Sequence, residues 1–287
     1  MLAQSSCRLL PRSIYRVYSN HSAILPYNPQ QYQSTCTTDI SHIKQIGIIG
    51  AGQMGTGIAY VSAVTGKYNV TILDNNQIQL NKSIEFIKSL LKKDISKGKL
   101  DSNTNIDDII SRIHTTTSYD TLSTNHQYII EAASESLSIK QNIFHTLAQC
   151  TSNDTILATN TSSISITKIA ASTITSSNPD RPSTVIGMHF MNPVPVMKLV
   201  ECISGLQTSK STLDITLALG SQLGKTMTHS ADIPGFIANR LLMPYINEAI
   251  YTLQENISSR DDIDTTMKLG CSSMYTGDYI INIGITI

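Results

Sequence analysis

The residues best suited to chemistry are His189 and Glu201, twelve positions apart around a proline-rich turn. The segment Thr184-Val185-Ile186-Gly187-Met188 is mostly β-branched and apolar between polar turns, which predicts a buried strand. His189 and Asn192 then fall where that strand ends, and Pro193 and Pro195 forbid a helix there and stiffen the turn. A second apolar run, Val196 to Val200, carries Glu201 back on the next strand. Histidine titrates near neutral pH, and a carboxylate behind it fixes its tautomer and stabilises the imidazolium. The pair therefore suits a general base.

A second chemical signature lies in Gly50-Ala51-Gly52-Gln53-Met54-Gly55. The apolar strand Ile46-Gly47-Ile48-Ile49 runs into it, and helical sequence (Ile58, Ala59, Tyr60, Val61) follows. In this setting the three glycines serve a tight turn, close approach of backbone to a pyrophosphate, and close packing of helix on strand. The helix N-terminus then turns unpaired amides and a favourable dipole toward the phosphates. A further strand (Val70, Ile72, Leu73) ends in Asp74, 22 residues after Gly52, the offset of an acid that grips a ribose hydroxyl pair. An acid there repels a 2′-phosphate, so NAD is favoured over NADP.

The elements that must position these groups alternate. Residues 77–100 read as a long helix with Lys82, Lys88, Lys92, Lys93, Lys97 and Lys99 among Ile, Leu and Phe. That pattern is a solvated face or a cluster for substrate phosphates. Segments 101–112 and 118–126 read as linking or surface-helical. Strands are expected at Tyr128–Glu131 and Thr155–Thr159, with a helix from Ile139 to Ala148 between them. Asn160-Thr161-Ser162-Ser163 closes the latter strand, and a helix is expected to begin there. Ser163 reads as its cap, whereas Asn160 and Ser162 stand where parallel sheets place ligands. The alternation through about residue 230 implies an α/β, Rossmann-like, doubly wound, mostly parallel sheet. From Ile237 the apolar residues recur at helical spacing, marking a smaller helical region, with Pro244 able to bend its first helix.

Composition narrows the class. The 287 residues carry 21 Lys+Arg against 21 Asp+Glu, which argues against a nucleic-acid surface or a polybasic membrane contact. No run approaches the length of a transmembrane span. The five cysteines are scattered and never form a CxxC pair, which fits a reducing compartment and no zinc site. Residues 1–40 differ in kind. Arg8, Arg12 and Arg16 recur every four residues beside Leu9, Leu10, Ile14 and Val17, and no acid precedes Asp39. This is the composition of a mitochondrial transit peptide.

Taken together, the glycine motif, Asn160–Ser163, His189 through Glu201, Asp232 through Arg240 and Asp262 through Gly270 resemble the short-chain L-3-hydroxyacyl-coenzyme A dehydrogenases of mitochondrial fatty-acid β-oxidation. The resemblance covers residues 44–270 in the family's order. It implies three regions: a transit peptide (1–40), an NAD-binding Rossmann-like domain carrying the histidine (41–230), and a helical substrate and dimerisation domain (231–287). It also implies roles. His189 takes the proton of the substrate's C3 hydroxyl, and Glu201 orients it. Ser162, Asn192 and Asn239 hold the 3-oxygen and thioester. Gly50, Gly52, Gln53, Met54, Gly55, Asp74 and Asn160 belong to the NAD set, with Glu135 and Lys140 near nicotinamide and ribose. Ser83 and the following lysines correspond loosely to a coenzyme A region. The substrate would be an acyl-CoA thioester, the cofactor NAD, the compartment the mitochondrial matrix, and the assembly a homodimer.

After Gly270 the chain departs from the family, which continues with further helices, so a shortened C-terminal domain is expected, with dimer and cleft closure in question. Two rival readings are a related hydroxy-acid or sugar-acid dehydrogenase and a nonenzymatic NAD-binding or interaction protein.

Overall fold

The computed structural model describes residues 38–122 and 125–270. The expected transit peptide lies almost wholly outside the described residues, as does the sequence after Gly270. Eight strands form one sheet in the order β3-β2-β1-β4-β5-β6-β7-β8. The central strands β1 (Gln45–Ile49), β4 (Tyr128–Glu131), β5 (Ile156–Thr159) and β6 (Val185–Phe190) are buried almost throughout. Near-continuous burial is what a parallel strand covered on both faces requires, and it explains their mostly apolar sequences.

Successive residues of these strands point to opposite faces. Ile130 and Ala158 join a cluster with Ile58 of α1 (Gln53–Val64), Leu80 and Ile87 of α2 (Gln77–Ser96), and Leu219 of α6 (Lys210–Gln222). Their neighbours Ile129 and Leu157 join a second cluster with Phe144 and Leu147 of α4 (Leu137–Cys150) and Ile169 of α5 (Ile166–Ala170). The sheet is thus covered on both sides, as the alternation of elements predicts.

One pairing breaks the parallel order. β6 and β7 (Leu199–Ser204) are antiparallel, whereas β7 and β8 (Thr226–Ala231) run parallel to each other. The cause is local: only residues 191–198 join β6 to β7, too few for a parallel crossover, which takes a dozen or more residues. This reversal places His189 directly opposite Glu201 in the register. His189 lies inside β6 rather than beyond its end, because the strand runs on to Phe190.

Three stretches differ from the sequence expectation. The segment 101–112, read as linking or surface-helical, contains α3 (Ile106–Ile110) but leads into an edge strand the sequence reading did not place, β3 (Ile113–Thr116), where only Ile113 is buried. An edge strand with one buried residue has little apolar signal to read. α5 starts at Ile166 with Ser165 as its cap, so Ser163 does not cap it. Strand β8, also at an edge, is Thr-Met-Thr-His-Ser-Ala and carries no apolar alternation.

Beyond β8, α7 (Ala238–Gln254, with Pro244 inside it) and α8 (Arg260–Gly270) pack together through Ala249 and Ile263. No helix among the described residues is long and apolar enough to cross a membrane.

Candidate active site

The glycine turn folds as its residues dictate. Gly50 sits at φ +100°, a conformation L side chains rarely adopt, and a Cβ there would stand 2.7 Å from the Ala132 carbonyl oxygen. At Gly55 a Cβ would collide with the Gly50 carbonyl, so α1 can approach β1 only because this residue has no side chain. Around Gly52, by contrast, nothing lies within 4 Å of a Cβ position. That space opens on a cleft of about 450 Å³ lined by Gly50, Gly52, Asp74, Tyr119, Ala133 and Ile143 among others.

Asp74 closes the cleft at the end of β2 (Asn69–Leu73). Its Oδ2 accepts from the Ala51 amide at 2.8 Å and its Oδ1 from the Asn76 amide at 2.9 Å. Gln79 Nε2 donates to the Ala51 carbonyl at 2.9 Å, fixing the turn from the other side. A bare glycine cradle, a helix N-terminus and an acid held at the far rim fit a dinucleotide: amides for the pyrophosphate and a carboxylate for ribose hydroxyls.

At the carboxyl ends of β4 and β5 lies a dense polar network. Glu131 is wholly buried and accepts from Lys140 Nζ at 2.7 and 3.0 Å, from Thr159 Oγ1 at 2.6 Å and from the Ala133 amide at 2.7 Å. Lys140, equally buried, also reaches Glu135 Oε2 at 3.4 Å. Lys140 is thus enclosed between two carboxylates, not open to the cleft. The other oxygen of Glu135 accepts from Thr161 Oγ1 at 2.6 Å and from the Ser162 amide at 2.9 Å. Burial acts to raise the Glu135 pKa, but these hydrogen bonds and the Lys140 charge outweigh it and hold the carboxyl below its usual range.

The second centre is the His189–Glu201 pair. His189 Nδ1 lies 2.8 Å from Glu201 Oε2, with the histidine 7% and the glutamate 1% exposed. Glu201 Oε1 accepts from the Ile237 amide at 3.1 Å and the Ala238 amide at 2.9 Å, at the N-terminus of α7. Burial again pushes the Glu201 pKa up; the bonds from His189, Ala238 and Ile237 outweigh it and keep the carboxyl below its ordinary value. An ionised carboxylate only accepts, so Nδ1 carries the proton and, in the neutral imidazole, the lone pair falls on Nε2. The ring of Phe236 stands edge-on to the imidazole, with centroids 6.1 Å apart.

Hydrogen bonds tie most of the remaining residues singled out in the sequence to the elements around these centres. Asn160 Oδ1 accepts from the Phe190 amide at 2.8 Å, tying the end of β5 to the residue after His189. Asn239, in the first turn of α7, donates through Nδ2 to the Ser162 carbonyl at 3.0 Å. Gln53 Nε2 donates to Asn192 Oδ1 at 3.1 Å, linking the start of α1 to the β6–β7 turn. Met54 lies in the first turn of α1, partly buried against the core. Ser83 stands apart. It is 2% exposed and its hydroxyl donates to the Leu80 carbonyl one turn back, so it faces inward from α2.

Three supporting residues escaped the sequence reading. Glu131 and Thr161 gave no signal beyond polarity at strand ends, a position that could have flagged both. Asp232 lay inside a recognised block but had no assigned role. It accepts from Ser165 Oγ and from the Ile166 and Thr167 amides at 2.7, 3.0 and 2.8 Å, and so anchors the start of α5.

A doubly wound sheet with a glycine-cradled cleft at its switch point and a buried histidine–carboxylate pair fits a nicotinamide-dependent oxidoreductase. Sequence comparison makes this specific. The pattern of "3-hydroxyacyl-CoA dehydrogenase, NAD binding domain" matches residues 45–233, and that of the "3-hydroxyacyl-CoA dehydrogenase, C-terminal domain" matches residues 235–275. The chain belongs to the 3-hydroxyacyl-CoA dehydrogenase family, and it is an NAD-dependent oxidoreductase.

A probable 3-hydroxybutyryl-CoA dehydrogenase of Bacillus subtilis is 45% identical over 228 residues, 79% of this chain and 76% of the relative. The human mitochondrial hydroxyacyl-coenzyme A dehydrogenase is 40% identical, over 79% of this chain and 72% of the relative. The crystal structure of (S)-3-hydroxybutyryl-CoA dehydrogenase from Ralstonia eutropha superposes with a TM-score of 0.74 at 43% identity, covering 80% of this chain and 78% of that one.

Proposed function

We propose that this chain oxidises L-3-hydroxyacyl-CoA thioesters to 3-oxoacyl-CoA in fatty-acid β-oxidation, with His189 as the general base. Bound NAD supplies the hydride acceptor for C3. The substrate's C3 hydroxyl gives its proton to His189 Nε2, the nitrogen left free by the Nδ1–Glu201 bond. Glu201 stabilises the imidazolium so formed, and α7's first amides keep Glu201 ionised. Ser162, Asn192 and Asn239 surround the carbonyl and hydroxyl oxygens. Gly50, Gly52, Gln53, Met54 and Gly55 receive the pyrophosphate, Asp74 the adenosine ribose, and Glu135 and Asn160 the nicotinamide side, with Lys140 acting through Glu135. The relatives named for 3-hydroxybutyryl-CoA favour a coenzyme A thioester over a sugar acid.

The same reading divides the chain into an NAD-binding part over 41–230 and a helical part after it that completes the site. The arginine-spaced, acid-free start of the chain and the mitochondrial relatives together support the mitochondrial matrix as its compartment.

The observation that carries the reading is the buried 2.8 Å His189–Glu201 contact at the register position the strand reversal creates. NADH formation from L-3-hydroxybutyryl-CoA tests it. The wild-type chain turns over, and His189→Gln loses about 10³-fold or more in kcat with NAD affinity nearly unchanged, as expected for removal of a general base. A His189→Gln variant that loses NAD affinity in the same proportion would make His189 a scaffold residue and overturn the assignment.

A further inference from the structure

Between the cofactor-side carboxylate and the substrate-side serine stands one buried hydroxyl, Thr161 Oγ1. It is 0% exposed and uses every hydrogen bond a hydroxyl offers. It donates to Glu135 Oε1 at 2.6 Å, and it accepts from the Ser163 amide at 3.3 Å and the Ile164 amide at 2.9 Å. The accepting half is an ordinary hydroxyl turn that would fix the loop by itself. The donating half is not needed for a turn. It joins the loop to Glu135, whose same oxygen takes the Ser162 amide at 2.9 Å. The Ser162 carbonyl in turn accepts from Asn239 of α7.

We propose that Thr161 is a positioning residue that couples the two halves of the site: its hydroxyl sets the Glu135 carboxylate toward the cofactor and, through the same oxygen, holds Ser162 and Asn239 in register for the substrate. The inference rests on the proposed reading that Glu135 faces the cofactor. A cofactor that engages Glu135 then stiffens the Ser162 turn before substrate arrives, and loss of the hydroxyl disconnects the two. Lys140, fixed by Glu131, holds the opposite oxygen of Glu135, while Thr161 makes the shortest of three bonds to the first, beside the Ser162 amide at 2.9 Å and the Ser163 hydroxyl at 3.3 Å.

The test uses the full chain and reads NADH affinity by fluorescence titration, which needs no turnover, beside kcat and KM for L-3-hydroxybutyryl-CoA. Thr161→Val keeps the shape and removes the hydroxyl. NADH binding weakens about tenfold and kcat falls by a similar factor, the scale of one hydrogen bond to a charged group. Thr161→Ser keeps the hydroxyl and restores both to within about threefold, while a Ser variant as impaired as Val assigns the effect to methyl packing and overturns the proposal. The deciding measurement is the pair in a Glu135→Ala background, which removes the oxygen that accepts from Thr161. There, Thr161→Val adds no further loss of NADH affinity, because it acts through the group already removed. A further loss of the same size means that Thr161 acts independently of Glu135, and unchanged NADH affinity in Thr161→Val alone means that it does not act on the cofactor side at all; either sinks the idea. A wild-type chain that binds NADH without oxidising the thioester would refute the proposed substrate and still leave the NADH comparison to decide Thr161.

Discussion

The sheet body and the α7–α8 helices contribute to the same site from very different degrees of burial. In the body, strand residues on both faces feed two large clusters, and Phe144, Ile48, Ile72, Leu80 and Leu91 are wholly enclosed. In α7 and α8, only Ala249 and Ile263 are buried, while Leu241, Met243, Tyr251 and Leu269 are 48–76% exposed. The body holds the cofactor cleft, His189 and Glu135. The helices supply Asn239 and the two amides that bond Glu201. Regions with few buried apolar contacts open locally at low free energy. The site therefore joins a stiff frame to a looser arm at two points, the Ser162 carbonyl and Glu201 Oε1.

The largest expected effect lies in the frame. Glu131 and Lys140 form an enclosed ion pair, and removing one member leaves the other's buried charge without its nearest counter-charge. Glu131→Gln or Lys140→Met is expected to cost about 3–5 kcal/mol in denaturant unfolding, and the double substitution to recover most of it. A single-variant loss well under 1 kcal/mol would mean that water reaches this pair and that the frame is less rigid than its burial implies. Next come paired truncations. Phe144→Ala should cost about 3–5 kcal/mol globally, and Ile263→Ala about 2 kcal/mol, because a thin layer collapses more readily around the deletion. Hydrogen exchange separates them further. Ile263→Ala should speed exchange in α7 and α8 alone, and equal acceleration across the sheet would erase the distinction between the two regions.

The two regions were also unequally legible in the sequence. The glycine turn, Asp74 and the central strands could be read because each rests on a local rule: backbone that only glycine can adopt, an acid at a fixed offset, continuous apolar runs. The His189–Glu201 pair could be suspected from spacing. Its geometry depends on the short 191–198 connection forcing an antiparallel return, which a mostly parallel expectation does not specify. The parts that could not be read are those whose signal is cross-chain. Lys140, which the resemblance places near nicotinamide and ribose, is enclosed by two carboxylates. Ser83, matched only loosely to a coenzyme A region, is 2% exposed on the inward side of its helix. Edge strands β3 and β8 carry too little burial to leave a pattern.

The smallest expected effect is also the most local, and it compares two carboxylates. Glu135 and Glu201 both sit below their ordinary pKa in the folded chain, the first held chiefly by the body and the second by His189 and the amides of α7. Because the unfolded chain binds the proton more readily, each group's contribution is fully present above the ordinary glutamate value of 4.5. It fades as pH falls from there through the folded value. Protonating Glu201 weakens its charge-assisted bonds to the Ile237 and Ala238 amides and so releases the first turn of α7. Amide exchange at residues 237–239, corrected for its intrinsic pH dependence, should therefore lose protection below about pH 4.5 while the β4 and β5 amides keep theirs. Glu201→Gln should show that loss already at neutral pH, whereas Glu135→Gln should leave α7 protected. Simultaneous loss in α7 and the central strands as pH falls would show that the arm is not held by Glu201 separately from the frame.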